Sequence, residues 1–315
     1  MRCALSPLNS RNNVLVIGGP TASGKSGLAL AAAEALGGVV INADSMQMYR
    51  GLPLLTAQPP GDDIARAPHR LYAGLRPDDV CSAARWRNLA LDEIASAHAA
   101  GKVPILAGGT GFYIKTLIKG ISPIPEVSQT VREGLIRKQR EMGNPAFHAA
   151  FSALDPAMAA KLDPCNTQRV IRAWEVLEGT GKSLAEWQKT PPVAPPAHLR
   201  FIVTILTPPR EALYAACDAR FDAMIGQGAL AEVARFRDEW PGEVPLKGAL
   251  GFAPLAVHLE GQISLEEAVK KGRQETRNYA KRQMTWFRHQ IFADIILKSN
   301  DKKDFFSALK SFDIL

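Results

Sequence analysis

From Gly19 to Ser26 the chain reads Gly-Pro-Thr-Ala-Ser-Gly-Lys-Ser, a match without mismatch to the phosphate-loop pattern GxxxxGK[ST]. The apolar run Val14–Ile17 before it reads as a short buried strand. The segment from Ser26 to about Leu36 reads as a helix, closed by Gly37-Gly38. In that strand–loop–helix setting the glycines let the backbone curl, so that several N–H groups face one anion. The first helical turn adds the positive end of its dipole. Lys25 supplies a mobile charge, and the Ser26 hydroxyl can hold a magnesium ion that bridges two phosphates. Gly19, Pro20, Thr21, Ala22, Ser23, Gly24, Lys25 and Ser26 are therefore the expected diphosphate-binding set. The loop alone leaves open whether the ligand is a diphosphate or a triphosphate.

Two more strand signals follow. Val39–Ile41 runs into Asp44-Ser45, and Val103–Leu106 into Gly108-Gly109-Thr110-Gly111. A helical period from Ser82 to Gly101 lies between them, and another covers Phe112 to Lys119. The order is that of an α/β protein with a P-loop-type doubly wound parallel sheet, whose ligands sit beyond the carboxyl ends of the strands. The phosphate loop, Asp44 and Thr110 should meet at that edge. The strand at Val103–Leu106 ends without the acid that nucleotide hydrolases use to hold magnesium and water.

Residues 122–198 change character. Strand patterns give way to short helices at Val127–Met142, Ala146–Leu154, Pro156–Leu162 and Thr167–Leu177, ending in the proline-rich Thr190–Pro196. We read an all-helical insertion between a first core part, 1–121, and its completion, 199–315. The completion holds a strand at Arg200–Leu206, helices from about Pro209 and Ala229, a turn at Gly248–Phe252, and a long helix from Ser264 to about His289. That helix opens with Ser-x-x-Glu, which reads as a capping box. It also carries Arg273, Arg277 and Lys281 four apart, a stripe suited to a phosphate backbone or to simple solvation. The net charge of +7 permits a nucleic-acid partner. No apolar run approaches a membrane span, and residues 1–13 read as a loose lead-in without a signal peptide. Cys3, Cys81, Cys165 and Cys217 show no paired spacing, which suits a cytoplasmic protein.

Taken in order, GPTASGKS, ADSMQMYRG, AGGTGFYIK, DPCNTQRVIRAWEV, ARFDAMIGQG, GALGF and RNYAKRQMTWFR resemble the tRNA dimethylallyltransferases, or isopentenyl-tRNA transferases. The resemblance implies transfer of a dimethylallyl group from dimethylallyl diphosphate to N6 of the adenine immediately 3′ of the anticodon, tRNA position 37, with Mg2+ as cofactor. It implies that Asp44 accepts the amine proton, that Thr110 contacts the adenine, and that Lys25 and Arg220 hold the pyrophosphate. It implies contacts with the tRNA anticodon stem-loop from Asp44, Ser45, Met46, Gln47 and Thr110. The insertion would add Arg132, Gln168, Arg169, Val170, Ile171 and Arg172, and the later turn Gly248, Ala249, Leu250, Gly251, Phe252 and Ala253. A monomer with no obligatory protein partner is expected. Leu55 and Gln58 stand where the family usually has glycine and lysine. The readings set against it are a P-loop small-molecule or nucleotide kinase and an adenylate isopentenyltransferase.

Overall fold

The computed structural model of the protein describes residues 12–312, so the reading of the N-terminal lead-in, Cys3 included, falls almost wholly outside the described residues. Six strands form one parallel sheet in the order β3-β2-β4-β1-β5-β6: β1 Asn13–Gly18, β2 Val39–Asn42, β3 His69–Arg70, β4 Pro104–Gly108, β5 Arg200–Leu206 and β6 Ile295–Leu297. Helices α1 Lys25–Leu36, α2 Gly61–Arg66, α3 Ala83–Ala99 and α4 Gly111–Lys119 join the first strands. Helices α5 Gln129–Leu154, α6 Pro156–Ala159, α7 Thr167–Thr180 and α8 Leu184–Trp187 follow. After β5 come α9 Arg210–Gly226, α10 Ala229–Glu239, α11 Phe252–Leu259, α12 Leu265–Gln290 and, past β6, α13 Lys302–Lys310.

The chain divides into two compact units. One runs to Ile118 and resumes at Pro196; the other is Lys119–Pro195. In the first, β1 is apolar throughout because both its faces are covered. Val14 and Val16 point into a layer with Trp86, Ile94, Phe236 and Phe287, whereas Leu15 and Ile17 point into another with α1 and Phe305. Helix α1 is nearly all alanine and leucine on its buried side, which lets it lie close to the sheet, and Gly37 ends it in the left-handed conformation. Ser82 caps α3 by accepting from the Arg85 N–H. At the end of β4, a Cβ on Gly108 would stand 2.1 Å from the Ala43 carbonyl, so only glycine lets β4 run this close to the chain leaving β2.

The Lys119–Pro195 unit has its own core. Phe147 and Phe151 pack on Trp174 with ring centroids 4.7 and 5.9 Å apart, and Leu135, Val170 and Val176 complete it. The two helices read at Val127–Met142 and Ala146–Leu154 are both present: within the span labelled α5 the backbone leaves the helical region at Gly143 (φ 72°, ψ 164°), just before Pro145, and separates them. The four-residue α8 is additional.

Three features differ from the sequence reading. Helix α2, the two-residue β3 and helix α11 lie where it saw only loops and a turn, because Pro- and Gly-rich composition masks short elements. The capping box on α12 is half formed: Ser264 accepts from the Glu267 N–H at 3.1 Å, but the Glu267 carboxylate pairs with Lys271. The basic stripe is mostly neutralised. Arg273 donates to Asp222 at 2.7 Å and Arg277 to Asp218 at 2.6 Å, both acids on α9, so these arginines join α12 to α9; of the three, Lys281 has no ion pair among the described residues.

Candidate active site

The carboxyl edge of the sheet in the first unit carries a cavity of about 250 Å³. The loop after β1 enters it at Thr21, the turn after β2 at Asp44, Ser45 and Met46, α9 at Arg220 and the later turn at Gly248 and Leu250. Each was expected at this site from the sequence. The phosphate loop takes its shape from two left-handed residues, Ala22 (φ 62°) and Gly24 (φ 83°), the second starting α1. Inside it the Ser23 hydroxyl is buried with no hydrogen-bond partner among the described residues. An orphaned buried hydroxyl is costly unless a ligand answers it.

Charge here is left unspent. Lys25 Nζ donates to the Pro20 carbonyl at 3.2 Å, and Arg220 Nη2 donates to the Thr21 hydroxyl. Neither cation has a carboxylate within ion-pair distance among the described residues. Loss of water around Lys25 pulls its pKa from 10.5 to about 8; the Asp44 carboxylate opposes this and Arg220 adds to it. Burial likewise lowers the pKa of Arg220. Two desolvated cations and an unpartnered hydroxyl are the groups an anion cradle requires.

Asp44 is held by its own strand end. Asn42, fully buried, accepts from the Asp44 N–H at 2.8 Å and donates to the Asp44 and Leu71 carbonyls at 2.9 and 3.0 Å. Trp86 in turn donates to the Asn42 carbonyl at 2.9 Å. One Asp44 oxygen accepts from the Met46 N–H at 3.1 Å. The Thr110 hydroxyl accepts from the Ser45 N–H at 2.9 Å, which ties the β4 edge to the β2 edge. Tyr279, on the cavity wall, has its phenol pushed up to about 12, by burial first and by Asp44 second.

Some expected residues turn elsewhere. Gln47 spends its amide on the Thr56 and Ala57 carbonyls, shaping the next loop instead of facing the cavity. Ala249 and Phe252 are buried, Phe252 edge-on to Phe236, so from that turn Gly248 and Leu250 face the cavity. Gly251, in the left-handed region, donates its N–H to Glu275, and Ala253 is exposed on α11. In the second unit Val170 and Ile171 belong to the buried face of α7 and present no side chain to a ligand. Gln168 and Arg169 are exposed, while Arg132 and Arg172 both pair with the buried Glu175.

The sequence reading missed the far wall of the cavity. Phe221 and Met224 come from α9, Tyr279 and Arg282 from α12, and Leu55 and Thr56 from the loop after β2. Only the helical period of α9 and α12 signals the first four, and it does not say which face meets the sheet edge. Leu55 is buried and its N–H, like that of Leu54, donates to Glu232 at 2.9 Å; Gln58 donates to the Tyr49 carbonyl at 2.7 Å. The two departures from the family pattern therefore sit in a loop that is tied down on both sides.

Comparison with known proteins places the chain among relatives. The family model described as IPP transferase matches residues 47–290. The tRNA dimethylallyltransferase of Rhodospirillum centenum is 54% identical over 282 residues, covering 89% of this chain and 90% of its own. The tRNA dimethylallyltransferase of Paramagnetospirillum magneticum is 52% identical, covering 89% of each. Among solved structures, the tRNA isopentenylpyrophosphate transferase of Bacillus halodurans is 30% identical and superimposes with a TM-score of 0.68, covering 96% of this chain and 97% of that one.

Proposed function

The chain belongs to the IPP transferase family, and on that premise we propose that it moves a dimethylallyl group from dimethylallyl diphosphate to N6 of the adenine immediately 3′ of the anticodon. The observation that carries this reading is that Thr21 of the phosphate loop and the desolvated Arg220 line the same cavity as the strand-end carboxylate of Asp44. The donor's diphosphate occupies the cradle. As the carbon–oxygen bond to the diphosphate breaks, negative charge grows on the departing pyrophosphate. The loop N–H groups, Ser23, Lys25 and Arg220 meet that charge. The bond from N6 to the prenyl carbon forms, and the N6 proton passes to Asp44, held in place by Asn42. Thr110 holds the Ser45 N–H beside Asp44, and its hydroxyl contacts the same adenine.

Mg2+ fits the residues present. The Ser26 hydroxyl is exposed at the head of α1 and makes no hydrogen bond among the described residues. No group of three His, Cys, Asp or Glu among the described residues could hold a metal alone; Ser26 would hold the ion together with phosphate oxygens of the donor. Bound there, it would supply charge neutralisation to the diphosphate.

The acceptor is a tRNA anticodon stem-loop whose adenine leaves its stack to enter the cavity. Exposed Gln168 and Arg169, with Arg132 and Arg172, give the Lys119–Pro195 unit a face for RNA phosphates. No helix among the described residues is long and apolar enough to cross a membrane, and the reading is completed by a cytoplasmic monomer.

Mass measurement tests the reaction. The protein is incubated with Mg2+, dimethylallyl diphosphate and an unmodified anticodon stem-loop, and the RNA is weighed. One added prenyl group on the adenine 3′ of the anticodon is the expected result. Modification of free adenosine monophosphate alone would replace this reading with an adenylate isopentenyltransferase. No transfer to either would return the phosphate loop to a kinase role.

A further inference from the structure

Gln283 lies in the middle of α12 and is buried. It is the one α12 side chain, among the described residues, hydrogen-bonded to both loops that the proposed reaction must bring together. Its Oε1 accepts from the Thr21 N–H at 2.8 Å, inside the phosphate loop. Its Nε2 donates to the Gly109 carbonyl at 2.8 Å, one residue before Thr110. The fit is tight, since a Cβ on Gly109 would stand 2.3 Å from Nε2. Thr110 then holds the Ser45 N–H, next to Asp44. A path of three hydrogen bonds, joined by the backbone of Gly109-Thr110 and Asp44-Ser45, therefore runs from the diphosphate loop through one amide group to the proton-accepting edge.

We infer that Gln283 is a positioning residue that couples donor binding to acceptor-side order. This rests on the functional reading above for the meaning of the two sides, but the link itself does not depend on that reading. Both ends of one planar amide are spent, so a shift of Thr21 on binding an anion must be passed to Gly109 or break a buried hydrogen bond. A buried donor or acceptor left unmade is disfavoured, which makes transmission the lower-energy course. Glutamine suits this task by chemistry. It accepts at one end and donates at the other, whereas a carboxylate would accept at both and oppose the Gly109 carbonyl.

The test uses inorganic pyrophosphate with Mg2+ as the probe and amide hydrogen exchange as the readout. In the unaltered protein, pyrophosphate should slow exchange in the phosphate loop and also in residues 109–112, the latter by at least about fivefold. In Gln283→Glu, which keeps the acceptor for Thr21 and loses the donor for Gly109, protection of the phosphate loop should persist and that of residues 109–112 should vanish. Gln283→Met, of similar length and without either bond, should give the same loss at 109–112 and serves if the first variant does not fold. In turnover, the Glu variant should lower kcat more than it raises the KM for the donor, a split that simple destabilisation does not produce. Undiminished protection at 109–112 in a folded variant, or none in the unaltered protein, would overturn the inference. Because the exchange readout contains no RNA and no prenyl donor, failure of the prenyl-transfer reading shows separately, in the mass measurement.

Discussion

The sheet-edge cavity and the Lys119–Pro195 unit are both basic in sequence, yet they treat their cations in opposite ways. In the helical unit, Arg132 and Arg172 converge on the two oxygens of Glu175, a carboxylate only 4% exposed, and Lys138 lies over the Trp174 ring. At the phosphate loop and the cavity beside it, Lys25 and Arg220 are answered, among the described residues, by a carbonyl and a hydroxyl. The first arrangement shares one negative charge between two positive ones and leaves them half-exposed. The second removes water from two cations and supplies no ion pair. A charge that the fold has desolvated but not neutralised marks where a ligand's charge belongs. A charge that is already paired mainly organises the surface that carries it.

The largest effect should come from the proton acceptor. Asp44→Ala is expected to lower transfer by about 10²–10⁴-fold in single-turnover assays while stem-loop affinity changes little. Near-normal turnover would remove Asp44 from its role. Next come the unspent cations. Arg220→Ala should weaken pyrophosphate binding by about one to two orders of magnitude in calorimetry, at the scale of a lost charge-assisted hydrogen bond. Lys25 adds a pH signature. Its ammonium is disfavoured in the ligand-free protein, with a pKa of about 8 against 10.5, and a bound diphosphate favours it again. Binding therefore takes up a proton above pH 8. Pyrophosphate affinity should be flat below about 8 and then fall by up to about tenfold per pH unit. In Lys25→Arg that inflection should disappear.

Three smaller predictions set paired arginines against an unpaired one. Glu175→Ala should lower stability by about 2 kcal/mol, read as a reduced midpoint of chemical denaturation, because two arginines lose a buried acceptor but can still reach water. Arg169→Ala, which touches no ion pair among the described residues, should leave that midpoint unchanged and reduce the slope of log K against log salt for stem-loop binding by about 1. The same RNA measurement on Arg277→Ala should show almost no change in slope, since its partner is Asp218. A loss of slope there equal to that of Arg169 would erase the distinction between spent and unspent charge.

What the sequence made legible is what local pattern controls. The strand–loop–helix of β1 and α1, the strand ends bearing Asp44 and Thr110, and the helical nature of residues 122–198 all follow from short-range periodicity and from glycines at fixed offsets. What it hid depends on elements far apart in the chain. Arg273 and Arg277 look like an open basic stripe until α9 brings Asp222 and Asp218 against them. Val170 and Ile171 sit beside two arginines in sequence, and only the packing of Trp174 shows that they face inward. Gln283 has no local signal at all, because its partners are 262 and 174 residues away.

The ends of the helical unit bear on how the chain folds. Ile121 and Val193 form an antiparallel bridge, with N–H to carbonyl bonds in both directions and Gly120 in the left-handed conformation beside it. A segment whose ends already meet adds little closure entropy to the strand pair it interrupts, because that cost grows only with the logarithm of length, by about 0.6 kcal/mol for each doubling. For the β1–β5 pairing, the whole of Lys119–Pro195 then counts as a pre-closed loop. Its length is nearly free to vary so long as the bridge forms. The two units can therefore gain order in either sequence, and a substitution in the Phe147–Trp174 core should change the unfolding rate of the helical unit without slowing formation of the parallel sheet.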